Sequence, residues 1–154
     1  MAARNSAVME EAPKLEIVRL FDAPRELVFE VWSTAAHMRG WLGPKHFTCT
    51  SCEIDFRVGG AWRACIRSPE GKEYWCRGAY RQITPPSGIV YSFRWEEEDA
   101  LDTQITVTFA AESGKTRMTF VQTPFRSAES RESHEGGWNE CFERLSAYIS
   151  KVAA

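Results

Sequence analysis

Hydrophobic and polar residues change their period twice along the chain. Leu15 and Ile17 alternate with Glu16, Val18 and Leu20, the repeat of a first strand running through about Phe21. Asp22-Ala23-Pro24 then reads as a helix start, with Asp22 accepting from free amides and Pro24 in the first turn. Between Pro24 and Ser33 the residues Leu27, Val28, Val31 and Trp32 fall at helical spacing. A second short helix is expected over Ala35 to Trp41, broken by Gly40 and Gly43-Pro44.

From Phe47 the period becomes two. Ile54 and Phe56 alternate with Glu53, Asp55 and Arg57, and Gly59-Gly60 predicts a tight hairpin. Trp62, Ala64 and Ile66 follow, then Tyr74, Cys76, Gly78 and Tyr80, then Tyr91, Phe93 and Trp95. Ile105, Val107 and Phe109 lead to Met118 and Phe120. The turns between these runs are Ser68 to Gly71, Pro85 to Gly88, Glu96 to Asp99 and Ser113-Gly114. Six strand runs joined by short turns predict an antiparallel meander packed on one face and wet on the other.

The last segment starts near Ser127 to Glu132 and returns to helical spacing. Trp138, Cys141, Phe142, Leu145, Tyr148, Ile149 and Val152 form its apolar stripe, and Glu140, Glu143, Arg144 and Lys151 its polar side. Gly136-Gly137 costs this helix about 1 kcal/mol per residue against Ala, which suggests a close backbone approach or a bend. A curled sheet closed by one terminal helix leaves part of its concave side unfilled, and a small apolar molecule fits that space.

Composition narrows the classes. The chain of 154 residues is 44% hydrophobic and 26% charged, with net charge -2, which is one domain with a real core. No basic stripe is present, against nucleic acid as a partner; Arg63, Arg67, Arg77, Arg81 and Arg94 are spread along strands among carboxylates. No apolar run approaches the length of a membrane span, and residues 1–13 lack the apolar centre of a signal peptide and read as a flexible tail before a domain over 14–154. Five Cys, an odd number, are expected as free thiols in a cytoplasmic protein.

The stretches RLFDAPRELVFEVWSTAAHMRGWLGP, DFRVGGAWR, YWCRGAYRQITPPSGIVYSFRW, TQITVTFAAESGKTRMTF and HEGGWNECFERLSAYI resemble, in this order, the START-like helix-grip superfamily. More narrowly, they resemble bacterial proteins related to the C-terminal domain of the activator of Hsp90 ATPase. The resemblance implies an α+β fold in which a curved seven-stranded antiparallel sheet wraps a long C-terminal helix, with two short helices after the first strand. It also implies an internal cavity that relatives use for hydrophobic ligands. Those relatives include chaperone cofactors, lipid and metabolite binders, polyketide cyclases and toxin-resistance proteins, and fold alone does not choose among them. The separate N-terminal domain of the eukaryotic chaperone activator has no counterpart here.

The candidate cavity lining is Trp41, Trp62, Tyr80, Phe93, Trp138 and Phe142, weighed against service as ordinary core. Trp95 is expected near the outer end of its strand. His46, Cys49, Cys52, Cys65 and Cys76 are zinc-ligand types, but in a strand positions 49 and 52 point to opposite faces, so no metal site and no cofactor are assigned. Glu53, Asp55, Glu73, His37 and His134 are the acid–base residues within reach of such a cavity, and none forms a legible catalytic pairing. His134, one turn before Trp138, reaches either the pocket mouth or solvent. The acidic turn Glu96 to Asp99 reads as a solvated loop. The leading expectation is a binder of a small apolar or amphipathic molecule, with a cyclase- or hydrolase-like enzyme, a chaperone-contacting module and a twofold homodimer as the other readings.

Overall fold

The computed structural model describes residues 13–154, so the tail expected over residues 1–13 lies, apart from Pro13, outside the described residues. Strand β1 (Leu15–Phe21) is followed by helices α1 (Arg25–Ser33) and α2 (Ala35–Met38). Six strands come next: β2 (Thr48–Ile54), β3 (Ala61–Arg67), β4 (Glu73–Thr84), β5 (Gly88–Trp95), β6 (Thr103–Glu112) and β7 (Lys115–Thr123). Helix α3 (Ala128–Ala153) closes the chain. The strands form one antiparallel sheet in the order β1-β7-β6-β5-β4-β3-β2. The expected helix-grip architecture is therefore the one observed. The first strand lies beside the last, Leu15 opposite Gln122 and Phe21 opposite Thr116, and β1 and β2 form the two edges.

The ends of the helices follow from their caps. Ser127 Oγ accepts from the amide of Ser130 at 3.0 Å and starts α3, as its sequence predicts. The Asp22 cap is not formed: Pro24 occupies the N-cap position of α1, and no side chain bonds the first-turn amides. Helix α2 stops at Met38 rather than Trp41, because the chain tightens there into a turn with Gly40 N bonded to His37 O and Trp41 N to Met38 O. The β2–β3 connection is wider than a two-residue hairpin. Asp55 N bonds Ala61 O, Arg57 N bonds Asp55 O and Gly60 N bonds Arg57 O, so Phe56 falls in the loop while still packing edge-on against Tyr80 at 5.0 Å.

Two irregularities shape the inner face. In β2 the register slips by one between Cys49, opposite Ile66, and Ser51, opposite Cys65. This bulge turns Cys49 and Cys52 to the same buried side, where strict alternation predicts opposite faces. In β4, Gly78 lies where a Cβ would overlap the carbonyl oxygen of Ser92. The close approach lets the Trp62 indole, opposite Gly78 on β3, donate to Ser92 O at 3.1 Å, while the Ser92 hydroxyl takes the Ala79 amide at 2.9 Å. Side-chain groups thus replace ladder bonds at that point and keep the backbone satisfied.

The core concentrates where α1 and α3 meet over strands β6 and β7. Trp32 and Trp41 pack at 4.9 Å, Phe120 and Phe142 at 5.1 Å, and all four are at most 2% exposed. The Trp41 indole donates to Val31 O at 3.2 Å, which supplies the partner a buried polar atom needs.

Candidate functional site

Moving along α3 toward its N-terminus, the packing opens. A cavity of about 340 Å³ lies between the helix and strands β3 to β5. One wall is α3 itself, through Ser133, His134, Gly137, Trp138 and Cys141. The sheet supplies Ile66, Tyr74, Cys76, Phe93 and Trp95, and the loop between α2 and β2 supplies Leu42, Gly43, Pro44 and Phe47. Glu97, in the acidic turn after β5, completes the rim.

The glycine pair explains part of this opening. A Cβ on Gly137 would meet nothing nearer than Pro44 Cγ at 3.8 Å, and one on Gly136 would meet nothing within 4 Å. No close backbone approach requires either residue. Gly137 instead lies one turn before Cys141 on the apolar stripe, so a missing side chain there leaves room on the buried face.

The loop wall is fastened to α3 by two side chains. Arg144 Nη1 donates to the carbonyls of Leu42, Gly43 and Pro44 at 3.3, 2.9 and 3.2 Å, and the Glu140 carboxylate accepts from the Lys45 amide at 3.1 Å. The inner wall is fixed by a buried polar chain. The Trp138 indole donates to Gln122 Oε1 at 2.8 Å, the Gln122 amide to Thr103 Oγ1 at 3.0 Å, and the Thr103 hydroxyl to Phe93 O at 2.8 Å. These bonds fix the Trp138 ring and the Phe93 backbone at the cavity with their polar atoms already paired.

His134 stands in the wall with both nitrogens engaged. Nδ1 is 2.9 Å from Ser130 O and must donate there; Nε2 accepts from the Trp95 indole at 3.1 Å. The ring is thereby fixed as the neutral Nδ1–H tautomer. The Trp95–His134 pair also divides the main cavity from a neighbouring hollow of about 170 Å³ toward Phe125 and Arg126, since Phe93, Trp95, Glu97 and His134 border both.

The residues expected to line a cavity divide into three groups. Phe93 and Trp138 border the main cavity. Trp41, Trp62 and Tyr80 border a separate inner void of about 30 Å³, which Phe93 and Trp138 also touch. Phe142 reaches neither; it is wholly buried beneath, packed on Trp138 at 5.6 Å and on Trp32 at 6.1 Å. Phe47 and Trp95, the latter the last residue of β5, also border the cavity, together with Tyr74, Glu97 and the 42–44 loop, which the sequence pattern does not single out.

Of the five acid–base candidates, His134 borders the cavity and the other four do not. Glu53, Asp55 and Glu73 are exposed on the outer side and at turns. His37 pairs with the Tyr148 hydroxyl at 2.7 Å and with Glu30 at 3.4 Å, clamping α2 to α3 away from the cavity. Burial pushes the Cys141 thiol up to about 12, against a small opposing effect from the Gly43 backbone, and burial raises Cys76 as well. Neither wall thiol is a ready thiolate nucleophile. All five cysteines are free and buried. A hydrogen bond from Cys52 is the chief cause that holds the Cys49 thiol below its ordinary pKa, and the same bond pushes the Cys52 thiol up and keeps it protonated. His46 is exposed, at φ 72°, while Cys49 and Cys52 are buried, and among the described residues no group of three or more His, Cys, Asp or Glu side chains is placed to hold a metal ion. Among the described residues no helix is long and apolar enough to cross a membrane.

Comparison with known proteins agrees with this architecture. A curved antiparallel sheet wrapped around a long terminal helix, hollow at one end, defines a helix-grip protein. Residues 22–150 match the family described as Activator of Hsp90 ATPase homolog 1-like protein, and the chain belongs to that family. No curated protein sequence matches it. Among solved structures it is similar to a protein of Chromobacterium violaceum, with TM-score 0.83 and 27% identity over 88% of this chain and 96% of the other. It is also similar to the AHSA1 protein of Silicibacter pomeroyi, with TM-score 0.81 and 22% identity over 90% and 98% of the two chains. A protein of Rhizobium leguminosarum aligns with TM-score 0.77 and 25% identity over 92% and 96%.

Proposed function

We propose that this protein binds a small apolar or amphipathic molecule in the cavity beside α3. The observation that carries the reading is the 340 Å³ hollow, walled by Phe47, Phe93, Trp95 and Trp138 and opened by Gly137. Its volume lies within the usual range for small-molecule sites, and its polar groups are few. Burial of ligand area, at about 25 cal/mol per Å² before ordering costs, supplies the driving force. The free thiols fit a reducing compartment, and we take the cytoplasm as its place of action.

A catalytic reading is less well supported, because the one histidine in the wall has both nitrogens occupied. A chaperone contact, which the family's name suggests, needs a broad exposed apolar face. Val18, Leu20, Val58, Tyr74 and Val152 are the large apolar side chains exposed among the described residues, and they are scattered apart from the first two.

The test is titration with an uncharged solvatochromic dye such as Nile red, read together with the fluorescence of Trp95 and Trp138. Saturable one-to-one binding that Gly137→Leu removes supports the reading. Binding that is absent, or that survives with the cavity filled, refutes it.

A further inference from the structure

We infer that the cavity prefers an aromatic ligand carrying an ammonium group, and discriminates against a carboxylate or phosphate on the same scaffold. The inference rests on the ligand-binding reading above and adds the chemistry of the guest.

An anion in a pocket needs hydrogen-bond donors or a cation to replace its lost water. The wall has few to offer. Both indole donors are engaged, Trp95 with His134 Nε2 and Trp138 with Gln122 Oε1. Both thiols are directed to backbone carbonyls, Cys76 to Ala64 O at 3.8 Å and Cys141 to Trp41 O at 3.5 Å. The remaining side-chain hydroxyls are those of Tyr74 and Ser133, near the opening.

Two cations approach lining residues without joining the lining. Arg144 is held by the three loop carbonyls, and the Lys72 ammonium lies 5.1 Å from the centroid of the Tyr74 ring. The ionised side chain of the lining is Glu97, a carboxylate. The neighbouring hollow does not reverse this balance: its Arg126 donates to Asp99 O, and Glu97 and Asp99 both border it.

What the wall does present is aromatic rings, those of Phe47, Phe93, Trp95 and Trp138, with Tyr74 already beneath Lys72. Ring faces attract cations and offer nothing to anions. The acidic turn read from sequence as a solvated loop thus becomes the rim where a ligand's ammonium or other donor would settle, with its apolar body against the tryptophans.

The test compares naphthylethylamine, naphthylethanol and naphthylacetate, three probes with one ring system and different charge. Binding is measured by calorimetry at neutral pH and low salt. The ammonium probe is expected to bind about tenfold more tightly than the carboxylate, with the alcohol between. Glu97→Gln is expected to weaken the ammonium probe about threefold and the alcohol by less, a modest effect because Glu97 is exposed. A carboxylate probe that binds as tightly as the ammonium probe overturns the inference and leaves the container intact. So does ammonium binding that persists in Gly137→Leu while the alcohol is lost, since that cation would sit outside. Failure of all three probes removes the container reading and this inference with it.

Discussion

The two halves of the space between sheet and helix are built differently from similar materials. At the α1 end, Trp32, Trp41, Phe120 and Phe142 interlock at ring separations near 5 to 6 Å and are almost wholly buried. At the N-terminal end of α3, Trp95, Trp138, Phe93 and Phe47 surround 340 Å³ of open space. Aromatic content does not distinguish the halves. The difference lies in the helix, which presents Phe142 and Leu145 to one half and Gly137 to the other.

The comparison is broken most forcefully in the solid half. Phe142→Ala should lower the unfolding free energy by about 3–5 kcal/mol in chemical denaturation, because close-packed rings collapse poorly around a cavity. Phe47→Ala, at the half-buried wall of the hollow, should cost less than half as much. Equal losses at the two sites would mean that both halves are equally packed. Gly137→Leu tests the hollow from the other direction. Dye binding should fall more than tenfold while the midpoint of denaturation stays level or rises, since the added side chain enters space and a helix-poor residue is replaced.

Alkaline titration gives a third, smaller effect. The Cys141 thiol is neutral in the fold and shifted by burial from 9.0 to about 12. A group raised in the folded state contributes stability that is complete below its unfolded value and is lost as pH climbs toward the folded one. Stability should therefore decline between about pH 9 and pH 12, a limb shared with Cys76 and with Tyr80 and Tyr91, all raised by burial. Cys141→Ala should flatten this limb; an unchanged slope would show that the thiol is not sealed. The smallest expected change is Gly136→Ala, a gain of about 1 kcal/mol from helix propensity, with binding retained. A loss there would reveal a contact at Gly136 that the open half does not contain.

The order of elements was readable because each strand run keeps its alternation and each turn carries Gly, Pro or Asp. Ser127 marked the start of α3 because its hydroxyl really does cap it. The site was less legible. Every inward aromatic obeys the same period, so Phe142 in the floor and Phe93 in the wall look alike in sequence. The bulge in β2 overrode the face assignment of Cys49 and Cys52, since alternation has no means of signalling an extra residue. Trp95 and His134 meet across 39 positions of sequence, and no local pattern announces such a pair. One signal was present: Gly137 occupies a stripe position where most other members are large, and an absent side chain on a buried face is as informative as a present one.

The ring of His134 stands between two hollows, held by one bond on each nitrogen. A swing away from Trp95 would give up the indole hydrogen bond and the ring packing on Phe125 at 5.0 Å, and would join the two hollows. On the binding reading proposed above, the length of guest would turn on a side-chain rotation rather than on the movement of a strand or helix.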